Sequence, residues 1–204
     1  MKVLVACEFS GVVRRAFQAL GHETWSCDLE PAEDGSLWHA QGDVRRLLAL
    51  GWDLMIAHPP CTYLCSSGAR WWKGREQEQK RAIEFFLELA RAPIERIALE
   101  NPIGRLSTAI CLPHQIIQPW QFGHPETKAT CLWLKNLPKL NYTLIVEPDY
   151  IRKSDGSLRL DKKGKRCSRI HWLSGRNPDR SKIRSRTYPG IAKAMAEQWT
   201  IATN

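Results

Sequence analysis

The sequence lacks any run approaching the roughly twenty consecutive apolar residues that a membrane-spanning helix needs. Its opening run, VLVAC, is too short for a secretory core as well, so a soluble cytoplasmic protein is expected, with no membrane partner. Cysteines are not even in number: there are seven, which with no export signal argues against a disulfide framework and for reduced thiols. The G-x-G-x-x-G fingerprint of dinucleotide sites is missing, because Gly11 is followed by Val12 and Val13. Paired metal ligands are missing too. Cys61 and Cys65 stand at a spacing zinc can use, but no second pair follows and His114, His124 and His171 are scattered, so no metal is expected. Finally, acidic residues nearly vanish from 151–190, where three Asp face thirteen Lys and Arg.

That last scarcity organises the charge. The chain carries +9 overall, and the segment 151–190 alone carries +10, so the rest is close to neutral. One strongly basic segment on a neutral body points to a polyanion partner, since phosphate neutralisation with counterion release rewards concentrated cations. A solvated basic loop is the other reading. With 204 residues, 43% of them hydrophobic, the chain suffices for one sizeable core.

KVLVAC (2–7) reads as a buried strand ending at the turn former SG, and VVRRAFQAL (12–20) follows at helical spacing up to Gly21. HETWSCD (22–28) returns to strand composition and ends on Asp28. WDLMIA (52–57) predicts another buried strand, EQEQKRAIEFFLELAR (76–91) an amphipathic helix, and RIALEN (96–101) a further strand. Strands alternating with helices imply an α/β fold with a mostly parallel twisted sheet covered on both faces. HQIIQPWQFG (114–123), KATCLWL (128–134) and YTLIVEP (142–148) predict β-rich pieces, KSDGSLRLDKKGKR (153–166) a basic hairpin or loop, and PGIAKAMAEQW (189–199) a closing helix.

In a parallel sheet the ligand crevice lies beyond the carboxyl ends of the strands. Four segments deliver polar or reactive residues there: Glu8-Phe9-Ser10-Gly11, Asp28, His58-Pro59-Pro60-Cys61 and Glu100-Asn101-Pro102. A free cysteine is by default a small buried hydrophobe, which suits Cys7, Cys27 and Cys131 inside their apolar runs. Cys61 fits less well, because two prolines cannot continue a central strand and must put it in the loop beyond. As a nucleophile it would need an acid or base beside it, and Glu100 at the next strand end is the candidate. Cys65 has no such partner and reads as packing. Asp28, about twenty residues beyond the first turn, suits the two hydroxyls of a ribose; Asp43 is a second candidate for that crevice or a plain loop aspartate.

In order, FSG (9–11), Asp28, GD (42–43), PPC (59–61), ENP (100–102) and FGHPETKAT (122–130) resemble the successive motifs of the DNA (cytosine-5)-methyltransferases, most of all the compact phage-type members. The resemblance covers roughly residues 1–135, and RSRTYPGIAKAMA (184–196) resembles the family's final block. It implies a Rossmann-like S-adenosylmethionine-dependent methyltransferase fold, with 1–135 as catalytic and cofactor-binding domain, 136–183 as a small basic target-recognition insertion and 184–204 as a returning helix. Phe9, Ser10 and Gly11 would contact S-adenosylmethionine, Asp28 its ribose and Asp43 its adenine amino group, with Pro59 and Pro60 lining the pocket. Cys61 would be the nucleophile and Glu100 the residue that grips the base, carrying a proton when it meets ring nitrogen 3 on a pKa raised in the closed, dehydrated site. Asn101, Lys128, Thr130, Lys163, Lys165 and Arg166 would serve the DNA. The partner implied is double-stranded DNA, met as a monomer, in a bacterial or phage-infected cell, with the target base flipped out.

Four departures stand out. Thr62 follows the Pro-Cys where the family has Gln, and Pro102 follows Glu-Asn where it has Val. The family's Q-x-R-x-R block aligns with Glu126-x-Lys128-x-Thr130, losing one cation, and His58 ahead of the prolines has no assigned role. The insertion is small, which implies a short recognition sequence or weak specificity. Trp71, Trp72, Lys73 and Arg75 either close over the substrate or pack on the amphipathic helix. RNA, a free nucleotide, a carboxymethyl donor, or an inactive DNA-binding scaffold remain open beside the main reading.

Overall fold

The computed structural model describes residues 1–161, 164–173 and 177–200, without the side chains of His171 and Ser181. Lys163 therefore lies outside the described residues, and so do Ser174, Gly175 and Arg176. Seven strands, β1 (Lys2–Ala6), β2 (Glu23–Asp28), β3 (His39–Gln41), β4 (Leu54–Ala57), β5 (Arg96–Pro102), β6 (Gln115–Ile117) and β7 (Thr130–Lys135), form one sheet in the order β3-β2-β1-β4-β5-β7-β6. The first five pair in parallel, while β7 runs antiparallel to both β5 and β6. The protein is thus α/β with a mostly parallel mixed sheet, compatible with a Rossmann-like fold.

Alternation of side chains along each strand divides the core in two. On one face Leu4, Met55, Ile97 and Trp133 meet α2 (Glu76–Ala90) through Phe86 and Leu89. The Phe86 and Trp133 rings cross edge to face at 5.2 Å, an arrangement worth about 1 kcal/mol beyond the area buried. On the other face Val3, Val5, Ile56 and Leu132 meet α1 (Val12–Gln18) and α6 (Pro189–Trp199), through Phe17, Met195 and Trp199 among others. Every residue of β4 is buried, as a continuous apolar run between two parallel neighbours must be.

Two sequence expectations fail in the second half. Within 114–123 only Gln115–Ile117 is a strand, and Pro119–Gln121 turns as a 3₁₀ helix, since Pro119 has no amide to give a ladder. Residues 142–148 form no strand; Leu144 makes one bridge to Phe122, and Tyr142, Leu144 and Ile145 stay exposed. The described residues of 152–166 form a nest of turns closed by the bridges Arg152 to Leu158 and Leu160 to Arg166. Three further helices, α3 (Leu106–Ala109), α4 (Arg169–Trp172) and α5 (Arg180–Ser185), are single turns or little more, and α5 runs across the 183/184 border between basic insertion and final block.

Candidate functional site

The chain moves from β1 outward through β2 and β3, then returns to place β4 on the other side of β1. The crevice at such a switch lies past the carboxyl ends of β1 and β4, where Ala6 and Ala57 stand in register. Cys7 to Gly11 leave one strand end there, and His58 to Cys61 leave the other. Cys7 to Ser10 and His58 to Cys61, together with Glu100, Asn101 and Lys128, line one crevice.

The turn after β1 is built by a residue that motif matching passes over. Glu8 is buried, and its carboxylate accepts from the amides of Val13 at 2.7 Å and Arg14 at 3.2 Å, with the Ser10 hydroxyl 3.4 Å away. It therefore satisfies the free amides at the N-terminus of α1. Gly11 adopts φ 66°, and a Cβ there would meet the guanidinium of Arg14 at 2.4 Å, so this position takes glycine for two separate reasons. Gly11 lies against Arg14 rather than along the crevice, whereas Phe9 and Ser10 do line it. Arg14 is fully buried; it donates to Ser26 at 2.6 Å and to Asp34 at 2.5 Å, fastening the loop after β2 over α1.

A second crevice opens between the ends of β1 and β2, lined by Asp28, Leu29, Asp43, Val44 and Phe85. Cys7 and Pro60 belong to both crevices, so the two adjoin across this pair. Asp43 is committed in part: one oxygen accepts from the Arg45 amide and the other pairs with its guanidinium, each at 3.0 Å. That bonding holds the Asp43 carboxyl below its usual range.

On the far side of Cys61 runs a third groove, bounded by Thr62, Cys65, Ser66, Ser67, Lys128, Arg180 and Arg184. Among the described residues no Asp or Glu lines it. Cys65 is half-buried beside this groove, its sulfur 3.0 Å from the Ser67 hydroxyl, and belongs to neither of the two core clusters. The loop is held from the end of β5: the Ser66 amide donates to Ile103 and the Arg105 amide to Leu64. Trp71 projects into solvent with Arg70 against its ring, leaving Trp72 as the more covered of the two.

The segment after α5 closes the rim. Arg184, Ser185, Arg186 and Thr187 line the main crevice, Arg186 pairs with Glu33, and the Lys128 ammonium donates to the Arg186 carbonyl at 3.3 Å. Arg184 and Arg186 begin the block whose resemblance implied a return to the catalytic domain, but neither was singled out as a site residue. His124 of the FGHP motif accepts the amide of Gly190 at 2.8 Å and so caps the start of α6.

Electrostatics set the two central groups apart. Burial alone would raise the Glu100 carboxyl, but the bond and charge of His58, the charge of Lys128 and the Thr130 hydroxyl outweigh it, and the group is lowered. Glu100 is thus ionised in the free protein, whereas the raised pKa expected from the sequence concerns the closed, dehydrated site. Cys61 goes the other way: burial, then the neighbouring Cys65 and Glu100, push its thiol up to about 11, against a smaller opposing effect of Lys128.

The remaining candidates separate. Asn101 is buried and donates to the Pro59 carbonyl at 2.8 Å, acting within the protein. Thr130 is buried in β7, its hydroxyl 3.3 Å from the Lys128 carbonyl and beside Glu100, where the sequence reading had it on DNA. Lys165 and Arg166 are exposed on the nest of turns, with Arg166 stacked on Tyr150, and they line none of the three crevices. Among the described residues no group of three or more His, Cys, Asp or Glu could hold a metal, and no helix is long and apolar enough to cross a membrane. No protein-family model matches the chain, and no curated protein matches it either.

Proposed function

We propose that this chain is a DNA (cytosine-5)-methyltransferase, moving the methyl group of S-adenosylmethionine to carbon 5 of a cytosine flipped out of double-stranded DNA. The observation that carries the reading is the meeting of Cys61, Glu100 and Lys128 in one crevice that adjoins, across Cys7 and Pro60, the crevice of Asp28 and Asp43. A nucleophile, a base-gripping carboxylate and a nucleoside-sized recess are the three parts this reaction needs side by side.

The residues suit S-adenosylmethionine better than a dinucleotide. The Glu8 carboxylate already occupies the amides at the N-terminus of α1, where a pyrophosphate would otherwise sit, and it would repel one. S-Adenosylmethionine has no phosphate and carries cationic groups, which a carboxylate-lined crevice favours. Asp28 would hold the ribose hydroxyls and Asp43 the adenine amino group, while Phe9, Ser10, Pro59 and Pro60 would form the walls. Bound there, the cofactor supplies a methyl group activated on a positively charged sulfur, which a nucleophilic carbon 5 takes.

The chain's own residues prepare that carbon. The Cys61 thiolate adds to carbon 6, ring nitrogen 3 gains a proton beside Glu100, and electron density moves to carbon 5. After transfer, loss of the carbon 5 proton expels Cys61 and restores the aromatic ring. The carboxylate-free groove with Lys128, Arg180 and Arg184 favours a polynucleotide over a free nucleotide.

Duplex DNA containing 5-fluorocytosine tests the reading, because fluorine replaces the proton that must leave and traps the thioether. With S-adenosylmethionine present, wild-type protein should yield a denaturation-resistant protein–DNA adduct and Cys61→Ser should not. If neither this adduct nor methylation of ordinary DNA is found, the reading is wrong; transfer to RNA alone would redirect it.

A further inference from the structure

His58 is the residue that the sequence reading left without a role. It follows β4, its amide donating to the Ala6 carbonyl at 2.9 Å, so its position is fixed by the two central strands. Its side chain is only 9% exposed, Nδ1 lies 3.2 Å from Oε2 of Glu100, and Nε2 is buried without a hydrogen-bond partner among the described residues. A buried imidazole with one nitrogen on a carboxylate and the other uncommitted can both hold a proton and give it up.

The proposed reaction has a gap that this arrangement fills. Nitrogen 3 must gain a proton as the thiolate adds, yet Glu100 is held ionised by its neighbours. We propose that His58 supplies, through Glu100, the proton that the pyrimidine ring takes up when Cys61 adds to it. This rests on the methyltransferase reading above. As the bond from Cys61 sulfur to carbon 6 forms, the imidazolium N–H of His58 breaks and leaves its electron pair on Nδ1. The proton passes to the Glu100 carboxylate, and the carboxyl protonates nitrogen 3. Thiolate and imidazolium are consumed together, the carboxylate is regenerated and the adduct is neutral. Thiolate plus imidazolium carries the same number of protons as thiol plus neutral imidazole, so a resting thiol reaches this state without net exchange with solvent. When Cys61 is later expelled, the nitrogen 3 proton returns to the pair, and the carbon 5 proton leaves to water.

The other charged or titratable groups around the pair do not fill the role. Lys128 and Cys131 flank Glu100 from β7 and the loop before it, Cys61 and Cys65 stand beyond β4, and Cys7 and Glu8 lie beyond β1. Arg184 and Arg186 close the rim. Cys7 is pushed up to about 12 and Cys131 to about 11, which keeps both as thiols. Glu8 is occupied by the α1 amides, and only His58 among all of these is hydrogen-bonded to the Glu100 carboxylate. His58 acts through Glu100, as a positioning residue that also carries the proton.

Single-turnover methyl transfer into duplex DNA, followed across pH for wild type and His58→Gln, tests this. Glutamine can keep a hydrogen bond to Glu100 but cannot carry the proton. The rate at neutral pH should fall about a hundredfold, and the alkaline limb of the wild-type profile should be replaced by one following Glu100 itself. In the free protein, ¹³C titration of the Glu100 carboxyl should move to higher pH in His58→Gln, since the cation that holds it ionised is gone. His58→Asn serves the same comparison should glutamine unseat the loop. An active wild type whose pH profile is unchanged in His58→Gln overturns the proton source and leaves the enzyme reading standing; a wild type that transfers no methyl group overturns the reading, and this step with it.

Discussion

The side-chain amide of Asn101 donates to the carbonyl of Pro59 at 2.8 Å, tying the strand end that carries Glu100 to the proline turn that carries Cys61. Two catalytic candidates 39 residues apart, Cys61 and Glu100, are thereby set by one buried bond. The prolines contribute no amides of their own, so the turn relies on bonds from outside.

Replacing Asn101 with Ala should therefore act on both stability and chemistry. The Pro59 carbonyl would lose its partner in a buried setting, at a cost of about 1–3 kcal/mol in urea denaturation. Loss of the brace should also slow trapping on 5-fluorocytosine DNA by up to about 10²-fold, the sensitivity expected when a nucleophile drifts from its line of attack. Unchanged trapping in a destabilised variant would assign Asn101 to folding alone.

Cys61 should be unreactive in the free protein despite its place. With its thiol pushed up to about 11, only about a thousandth is thiolate at pH 8. Peptide mapping after brief iodoacetamide treatment should find the exposed Cys111 alkylated well before Cys61, and Cys61 labelling should climb as the pH approaches 11. Because Lys128 opposes the rise, Lys128→Ala should shift that climb to still higher pH. Early labelling of Cys61 at neutral pH would mean that the thiolate exists before substrate arrives.

The first half of the chain was legible because local pattern and tertiary role agree in it. In β1, β4 and α2 the periodicity that names the element also names its buried face, so the rim residues at the strand ends followed. Glu8 carried a readable signal, an acid just ahead of a helix start, which the family motif obscured. Residues 142–148 misled because β-branched and aromatic composition makes a strand only where a ladder forms, and here the segment makes a single bridge, from Leu144 to Phe122, outside the sheet. The bond from His58 to Glu100 joins distant segments and no local pattern encodes it, while the return of 184–196 was implied only as a block, without placing Arg184 beside Cys61. The sign of the Glu100 shift depended on that same bond.

Acid should loosen α6 before it unfolds the sheet. His124 accepts the Gly190 amide and so must be neutral at that nitrogen, and burial lowers its pKa below the ordinary 6.5. A base lowered in the fold binds fewer protons there than in the unfolded chain, so its contribution is full above about pH 6.5 and fades as pH falls through that value. Hydrogen exchange of the first-turn amides of α6 should quicken between pH 7 and 5 in wild type, and in His124→Gln should be fast and pH-independent beyond the intrinsic chemistry. A first turn equally protected at both pH values would show that the cap does not govern it.

Salt dependence should separate the rim cations from those on the nest of turns. Arg180 and Arg184 stand over a groove without a carboxylate, next to Cys61, whereas Lys165 and Arg166 lie exposed and apart from it. If each rim arginine meets one phosphate, the slope of log affinity against log salt on duplex DNA should shrink by about 0.9 per arginine, so by roughly 1.8 in Arg180→Gln/Arg184→Gln. Phosphates gripped beside the nucleophile also position the target nucleotide, so this double variant should lose trapping rate at saturating DNA. Lys165→Gln/Arg166→Gln should flatten the slope while leaving the saturated trapping rate intact, because distant phosphate contacts raise occupancy without orienting the base. Fluorescence anisotropy across 50–200 mM salt, paired with trapping kinetics, gives both readouts on the same proteins. An unaltered slope in the rim variant would remove DNA phosphates from the groove, and equal effects from the two pairs would remove any positioning role for the rim.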